Sequence, residues 1–304
     1  MKVMRNALLW GSQNRWLEEQ FRRRRFAKKA VSKFIPGESV GDALRAAREL
    51  RERGLDSILT RLGENVTSAA EVNEVVQHYH EVLDRIGQSE LHTHISIKLT
   101  QLGLDLDRDA TNANLASLVQ HAAEKNNFVW IDMEYSHYVD ATLQIFHRTR
   151  TKWDNVGVCL QAYLYRTKRD LTKLLEADAV VRLVKGAYAE SPDVAFPKKS
   201  DVDANYLKLA QLLLEHRAQT PGPPHAIATH DMKLINAVQA KQAGGWEVDM
   251  LYGIASGEQK RLVAAGHPVR VLVSYGEAWF AWYMRRLAER PANVGFVLRS
   301  MVRS

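Results

Sequence analysis

Length, composition and charge place the chain among ordinary globular proteins. It has 304 residues, 46% of them hydrophobic and 25% charged, which is enough for one large domain. No apolar run reaches the roughly 18 residues that a membrane-spanning helix needs, and the N-terminus shows no signal-peptide pattern. Cys159 is the only cysteine, so an intrachain disulfide is excluded and the cytoplasm is the expected compartment.

The N-terminal part of the chain carries much of the positive charge. The formal net charge is +7, and a basic cluster lies in FRRRRFAKKAVSKF, residues 21–34. The apolar residues of this stretch recur at roughly helical spacing: Phe21, Phe26, Ala30 and Phe34. This pattern predicts a surface helix with a basic face. Peripheral contact of that face with an anionic membrane stays open, whereas nucleic acid is not an expected partner.

From Gly54 onward, short β-rich runs alternate with amphipathic segments. The candidate strands are LDSILT (55–60), THISIKL (93–99), FVWIDM (128–133), VGVCLQAY (156–163), VVRLVKG (180–186), HAIATH (225–230), EVDMLYG (247–253) and VRVLVSYG (269–276). The segments between them, such as 68–87, 111–126 and 205–218, have apolar residues at i, i+3, i+4 and i+7. This alternation predicts an α/β fold with parallel strands joined by helical crossovers.

The predicted architecture is a (β/α)8 barrel of the TIM type, formed by residues 54–304. A doubly wound open sheet is the main alternative, but the chain has no Gly-rich phosphate motif after its first strand. Residues 1–53 contain no Pro-rich or Gly/Ser-rich linker. They are predicted to form helices packed on the barrel as a layer.

Polar residues cluster where the predicted strands end. In barrels of this type the C-terminal strand ends carry the chemistry, so these residues are candidates for one site. They are Glu64, Lys98, Asp132, Gln161, Arg182, Lys185, Tyr188, Thr229 and His230. A buried Asp132 needs a partner, and Lys98 at the neighbouring strand end is the natural one. No metal site is predicted, because no HExxH motif or ligand-spaced His/Cys pair occurs at these ends.

The stretch YMRRLAERP, residues 283–291, has two interpretations. Arg285 and Arg286 lie one turn before Glu289 on a predicted helix that ends at Pro291. They suit a solvated helix end, where basic residues complement the helix dipole. They also suit a fork aimed at a carboxylate.

The motifs ISIKL, IDME, LQAYLYRT, VRLVKGAY, ATHD, MLYG and YMRRLAERPAN occur in this order. Together they resemble the monofunctional bacterial proline dehydrogenases, and the chain is similar to the proline dehydrogenase domain of the bifunctional proline-utilisation flavoproteins. The resemblance covers the chain from about Gly54 to the C-terminus. It implies a distorted (β/α)8 barrel with its final helix over the mouth. It also implies FAD-dependent oxidation of L-proline to Δ1-pyrroline-5-carboxylate, with a quinone or similar carrier as the electron acceptor.

The resemblance also implies roles for individual residues. The positions that match the FAD contacts of the family are Ile131, Gln161, Arg182, Val184, Lys185, Gly186, Ala187, Thr229 and His230. Those on the substrate side are Lys98, Asp132, Tyr188, Leu272, Arg285, Arg286 and Glu289, with Asp132 and Arg182 expected to act in catalysis. On this interpretation Arg285 and Arg286 clamp the substrate carboxylate, and Glu289 holds the fork. Glu64, on the loop after the first strand, is expected to close the site by pairing with one of the arginines.

Two positions depart from the family pattern. Leu272 stands where the family usually has a tyrosine that shapes the ring pocket, so hydroxyproline or another cyclic amino acid is an alternative substrate. Asp249 stands where a glutamine usually precedes MLYG, and its charge is expected to change the flavin potential or to force its own protonation. A Schiff-base lyase using Lys98 or Lys185 is a further alternative, as is a catalytically inactive binding module.

Overall fold

The computed structural model describes residues 31–241 and 244–280, together with Met284. Eight parallel strands form a closed barrel in which each strand pairs with its neighbours in chain order. They are β1 (Asp56–Arg61), β2 (Thr93–Ile97), β3 (Val129–Ile131), β4 (Val156–Gln161), β5 (Val180–Val184), β6 (His225–Ala228), β7 (Trp246–Leu251) and β8 (Val269–Tyr275). The barrel closes where β1 pairs with β8, from Asp56 opposite Arg270 to Arg61 opposite Tyr275. The predicted (β/α)8 fold is therefore confirmed.

Most of the predicted strands are longer than the observed ones at the C-terminal end. β2 ends at Ile97 rather than at residue 99, and β3 ends at Ile131 rather than at residue 133. Lys98 and Asp132 directly follow these strands and continue the inward-facing positions of Ser96 and Trp130. The residues that end these strands are thus the ones available to a site.

The described residues contain eight α-helices, seven of which lie between consecutive strands. They are α1 (Val40–Arg51), α2 (Ala69–Gly87), α3 (Arg108–Glu124), α4 (Val139–Arg150), α5 (Thr167–Glu176), α6 (Lys199–Gln219), α7 (Met232–Gln239) and α8 (Ser256–Ala264). Short polar side chains start several of them: Ser39 caps α1 in a capping box with Asp42, and Asp107 accepts two backbone hydrogen bonds at the start of α3.

Helix α1 packs on both β1 and β8, outside the seam that closes the barrel. Its apolar face is buried there, including Ala43, Leu44 and Leu50. This helix precedes β1 yet covers the position that a helix after β8 would otherwise fill. The chain after β8 therefore does not have to cover this seam. Shortly after β8, Trp279 donates a hydrogen bond to Glu38 at 3.0 Å. The predicted final helix over the mouth lies outside the described residues.

The barrel interior contains a small apolar cluster below the polar residues of the C-terminal strand ends, and an ion pair between Arg270 and Glu247 at the N-terminal ends. Ile58, Trp130, Val180 and Ala226 form a small buried cluster inside the barrel, separate from the main core between strands and helices. Gly157 makes room for it, because a Cβ at that position would lie 2.6 Å from the Trp130 ring. The polar residues at the C-terminal strand ends lie above this cluster, where Arg182 contacts the Trp130 ring.

Within the parts of the chain that the structure describes, no helix is both long enough and apolar enough to cross a membrane. The predicted basic surface helix falls almost entirely outside these parts, and so does most of the predicted N-terminal layer. The domain boundary at residue 53 stays a prediction.

Candidate active site

A cavity of about 680 Å³ opens at the C-terminal strand ends. Its walls come from all eight strands or the loops that follow them, and their backbones converge because the barrel is closed. The volume lies in the upper part of the range for sites that bury a cofactor-sized molecule. The candidate residues that line it are Glu64, Lys98, Asp132, Gln161, Arg182, Val184, Lys185, Gly186, Ala187, Tyr188, Thr229, His230 and Leu272.

Asp132 joins the charged groups at the base of this cavity. Lys98 donates a hydrogen bond to its carboxylate at 3.2 Å, Ser96 donates another at 2.9 Å, and Arg182 forms a short ion pair with it. Burial alone would raise the pKa of Asp132, but Lys98 and Arg182 hold this pKa below its usual range. Asp132 is therefore a stable anion between two cations.

Lys98 is held as an ammonium by the same cluster. Burial would lower its pKa, but the carboxylates of Asp132 and Glu64 outweigh that effect and raise the pKa above its usual range. A lysine in this state is a hydrogen-bond donor and a point charge rather than a nucleophile. Its geometry thus argues against Schiff-base chemistry at Lys98.

Arg182 is buried, with 3% of its surface exposed, and its guanidinium is fixed on several sides. Nε donates to the Cys159 sulfur at 2.8 Å, and one Nη donates to Ser96 at 2.7 Å as well as to Asp132. The guanidinium carbon lies 5.0 Å from the centre of the Trp130 ring, in a cation–π contact. Its other nitrogen, Nη1, donates to no residue that the structure describes. The fork is held rigidly with one donor open.

Cys159 and Ser96 were not among the predicted site residues. Burial raises the pKa of Cys159 to about 11, so it is a neutral thiol. Strand alternation could have identified both, because Ser96 shares an inward face with Lys98 and Cys159 shares one with Gln161.

Asp249 lies on the opposite side of Arg182 and lines the same cavity. It is 4% exposed, and its carboxylate is 3.8 Å from Arg182 Nη1. Neither of its oxygens accepts a hydrogen bond from any described residue. Burial and the nearby Glu247 raise the pKa of Asp249 to about 7, although Arg182 and Arg270 oppose the shift. The sequence left two effects open for Asp249, an extra negative charge or its own protonation, and burial makes the protonation easier.

Lys185 is paired with two carboxylates at the rim, Asp203 at 2.6 Å and Asp231 at 2.9 Å. Lys199 joins both of them from the exposed side. No pattern in the sequence pointed to Asp203, because it lies on α6, eighteen residues after Lys185. These two contacts hold the Lys185 side chain in place at the wall of the cavity.

Two polar side chains on the wall are oriented by backbone contacts. His230 Nε2 accepts a hydrogen bond from the Leu251 amide at 2.8 Å, so its proton is on Nδ1. Gln161 donates its amide to the carbonyls of Met133 and Glu134, at 3.3 and 3.1 Å. Its Oε1 is buried and accepts no hydrogen bond among the residues described. An acceptor is thus available to a bound molecule.

Glu64 and Tyr188 meet across the cavity mouth. The Tyr188 hydroxyl donates to Glu64 at 3.3 Å, and the Tyr188 ring lies 4.3 Å from that of Tyr135. The structure therefore brings the loop after β1 to the loop after β5. The predicted partners Arg285, Arg286 and Glu289 lie outside the described residues.

Ile131 differs from the other predicted cofactor-binding residues. Its side chain is fully buried in the core between the strands and the helices, because its neighbours Trp130 and Asp132 face the interior. Ile131 does not line the cavity, so its side chain can act only from behind the site.

Gly186, on the wall of the cavity, lets the backbone pass close to the Tyr163 ring. Its φ is +113°, and a Cβ at this position would lie 2.3 Å from the Tyr163 ring. We expect Gly186→Ala to lower the free energy of unfolding by about 1–3 kcal/mol, through backbone strain and displacement of Tyr163. Urea unfolding measures this loss. Gly257→Ala is the matched control, because Gly257 lies in α8 with nothing within 4 Å of its added Cβ, and it should be neutral or slightly stabilising. Equal effects of the two substitutions would contradict this.

A (β/α)8 barrel whose polar mouth holds a cation–carboxylate cluster defines a class of barrel enzymes that bind a large polar ligand at the C-terminal strand ends. Residues 43–299 match the family model described as Proline dehydrogenase. The chain belongs to the proline dehydrogenase family.

Relatives of known name agree with this assignment. The chain is 41% identical over 280 residues to Proline dehydrogenase 2 of Bacillus subtilis, which covers 90% of this chain and 91% of that protein. It is 34% identical over 284 residues to the Proline dehydrogenase of Deinococcus radiodurans, covering 90% of each. The fold is similar to a solved structure of proline utilization A from Bdellovibrio bacteriovorus, with a TM-score of 0.79 and 24% identity. That match covers 86% of this chain but only 32% of the longer protein, and it supports the fold alone.

Proposed function

We propose that this protein oxidises L-proline to Δ1-pyrroline-5-carboxylate, the first step of proline catabolism, with FAD held in the cavity. Family membership supports the reaction class. The observation that carries the proposal is the cluster of Lys98, Asp132 and Arg182 at the base of a cavity of about 680 Å³. Two cations around one carboxylate leave the bottom of the cavity with a net positive charge. This charge stabilises negative charge that develops in the cavity during the reaction.

The cavity has the features that a flavin ring requires. The edge of a flavin ring presents both hydrogen-bond donors and acceptors. The open polar groups of the cavity are also of both kinds: Arg182 Nη1 donates, while Gln161 Oε1 and Asp249 accept. Gly186 and Ala187 line the cavity and place no large side chain there, so a flat ring can lie close to the backbone. When bound, FAD supplies the hydride acceptor for the reaction. The proposed contacts are Gln161, Arg182, Val184, Lys185, Gly186, Ala187, Thr229 and His230, whereas Ile131 is proposed only as support behind the site.

The protein residues position the substrate and exclude competing reactions. Lys98 and Asp132 are proposed to orient the amino acid at the base of the cavity, where their pairing fixes both side chains. Tyr188 and Leu272 line the part of the cavity that we assign to the substrate ring. Arg182 keeps the site positive without moving, because its contacts are already made before the substrate binds.

The substrate carboxylate is proposed to bind Arg285 and Arg286, supported by Glu289. We expect Arg285→Met to raise the Michaelis constant for proline by an amount equivalent to about 2–3 kcal/mol, as when one partner of a desolvated charge pair is truncated. The bound FAD should be retained. Steady-state kinetics and flavin content measure the two effects, with Arg261→Met on the exposed face of α8 as the control. Unchanged kinetics in Arg285→Met would mean that these arginines form only a solvated helix end.

Glu64 is proposed to close the mouth over the substrate. Its contact with Tyr188 supports a position at the entrance. We expect Glu64→Gln to slow flavin reduction by proline while the FAD affinity and the melting temperature stay nearly unchanged, because glutamine can still accept the hydrogen bond from Tyr188. Stopped-flow reduction measures the rate. Glu74→Gln, an exposed acid on α2, is the control, and a wild-type rate in Glu64→Gln would remove Glu64 from the mechanism.

The alternatives make different predictions for one substrate panel. A Schiff-base lyase is disfavoured because Lys98 is held as an ammonium and Lys185 is held between two carboxylates. A hydroxyproline dehydrogenase stays an alternative because Leu272, rather than a tyrosine, lines the cavity. Purified protein assayed with L-proline and with trans-4-hydroxy-L-proline tests the proposal. A higher kcat/KM for L-proline supports it. A higher value for hydroxyproline, or no oxidation of either, contradicts it.

Electrons are proposed to leave the flavin for a quinone or a similar carrier in the membrane. Such a carrier requires that the protein reach a membrane surface, and the basic stretch of residues 21–34 is the proposed contact. The protein itself is proposed to work in the cytoplasm. No nucleic-acid partner is proposed.

A further inference from the structure

Asp249 is the buried charge that the proposed reaction leaves unexplained. It lies on β7, in register with Ala228 of β6 and Arg270 of β8, and its side chain faces the barrel interior. Of its surface, 4% is exposed, and neither carboxyl oxygen accepts a hydrogen bond from any described residue. Arg182 Nη1, 3.8 Å away, is similarly buried and also lacks a hydrogen bond within the described chain. An acceptor and a donor therefore stand side by side, both open to the cavity.

A carboxylate in this position is costly unless something in the cavity compensates it. A buried polar atom without a hydrogen bond destabilises the fold, and it does so more strongly when the group is charged. The separation of 3.8 Å is too long for a direct hydrogen bond between Asp249 and Arg182. Both groups can instead contact a ligand that lies over them. Because Asp249 and Arg182 Nη1 are only 3.8 Å apart, they would contact the same part of such a ligand. A change in the charge of that part would act on both groups.

The surroundings of Asp249 place its protonation near neutral pH. The charged and titratable groups that act on it come from five elements: Arg182 on β5, Arg270 on β8, Glu247 on β7, Cys159 on β4 and Tyr206 on α6. From β6, Ala228 adds no charge, and His230 beyond it bonds to the Leu251 amide. The two arginines lower the pKa of Asp249 and Glu247 raises it, while burial outweighs them and brings it to about 7.

We propose that Asp249 is a proton-holding positioning residue that would take up one proton from solvent when a flavin held in this cavity is reduced. This inference rests on the proposed function. Reduction adds two electrons and one proton to the cofactor, which leaves one extra negative charge in the cavity. That charge disfavours a second anion beside it, so the Asp249 carboxylate binds the second proton. Two electrons and two protons thus enter the site together, and it remains electrically balanced.

The reduction potential of the bound flavin tests this in the intact holoenzyme. For a two-electron couple, each proton taken up changes the potential by about 30 mV per pH unit. Below about pH 6 the Asp249 carboxyl is protonated in both redox states, so the wild-type slope should be about 30 mV per pH unit. Above about pH 7 it should steepen to about 60 mV per pH unit, because Asp249 then takes up a proton only on reduction. In Asp249→Asn the slope should stay near 30 mV per pH unit throughout.

A matched control separates Asp249 from other buried acids. Burial also raises the pKa of Glu134 to about 7, but Thr100 donates two hydrogen bonds to Glu134, and this side chain does not line the cavity. Glu134→Gln should keep the steep wild-type slope. A measurement on the wild type alone is independent of how the variants fold. The reduced-minus-oxidised infrared spectrum at pH 8 should gain the C=O band of a protonated carboxyl.

Each outcome separates this inference from the proposed function. A one-proton slope at every pH in the wild type, without the infrared band, overturns the role of Asp249 even if L-proline reduces the flavin. A steep slope that Asp249→Asn retains overturns it as well. If the slope and the band follow Asp249 but L-proline does not reduce the flavin, the proposed function fails and this inference stands. A purified protein without flavin overturns both.

Discussion

Replacing Asp132 by asparagine is expected to cost about 3–5 kcal/mol of unfolding free energy, the range for removing one partner of a buried ion pair. The amide fills the same space, but it leaves Lys98 and Arg182 buried without the carboxylate that both contact. Ser96 still finds an oxygen acceptor, so the loss reports charge rather than packing. Chemical unfolding of the apoprotein and the holoenzyme measures it directly.

The pH dependence gives this prediction its signature. In the wild type the pKa of Lys98 is raised, so its contribution to stability is complete below the unfolded value of 10.5 and is lost as the pH rises through the folded value. In Asp132→Asn, burial is no longer opposed by Asp132, and the folded pKa of Lys98 falls. The unfolded state then binds more protons, so the stability of the variant rises with pH and approaches that of the wild type.

The control for this experiment is an exposed pair. Asp109 and Arg148 are 89% and 64% exposed, and such pairs contribute roughly 0–1 kcal/mol. Asp109→Asn should change little at any pH. If Asp132→Asn were no more destabilised than this control, the cluster at the base of the cavity would not be the buried network described here.

Arg182→Lys is expected to slow flavin reduction by proline about 10²–10³-fold, the effect of removing one preorganised donor at a site of developing charge. Lysine keeps the positive charge, but it cannot bind Asp132, Ser96 and Cys159 at once as the guanidinium fork does. It also gives up the Nη1 donor that the fork leaves open toward the cavity. Stopped-flow reduction at saturating proline separates this effect from a change in substrate binding.

Arg270→Lys is the matched control for that rate. Arg270 is also buried and inside the barrel, where it is bound to Glu247 at 3.0 Å, but it does not line the cavity. Its replacement should lower stability and leave the rate of flavin reduction near that of the wild type. Equal losses of rate in Arg182→Lys and Arg270→Lys would mean that barrel integrity, rather than the position of Arg182, limits the reaction.

Much of the fold follows from patterns of short range. Apolar residues repeat at different spacings in strands and in helices, so the two kinds of element can be told apart in the sequence. Eight repeats of a strand–helix unit are compatible with few folds other than a closed parallel barrel. The start of α6 was harder to predict. KSDVDA, residues 199–204, is mostly polar and has no amphipathic pattern. A charge pair between Lys199 and Asp203 accompanies the helix there. Helix α1 covers the seam between β1 and β8 through contacts between residues far apart in the sequence. No local sequence pattern predicts such contacts.

The site was predictable where one residue type needs a specific partner. A lysine and an aspartate at adjacent strand ends implied the Lys98–Asp132 pair, and the structure contains it. Asp203 and Lys185 were not predicted to pair, because they meet through the packing of α6 on β5. Ile131 shows another limit: a motif identifies a stretch of chain, whereas strand alternation decides which of its side chains enter the cavity. The roles of the individual site residues stay predictions until they are tested.

The most direct test of the central claim is anaerobic mixing of the purified protein with L-proline while the flavin absorption is followed. The proposal predicts a yellow protein whose flavin band is bleached, with one Δ1-pyrroline-5-carboxylate formed for each flavin reduced. A bleached band with no such product would contradict the proposed chemistry. A protein that binds no flavin, or whose flavin stays oxidised in the presence of L-proline, would contradict the claim itself.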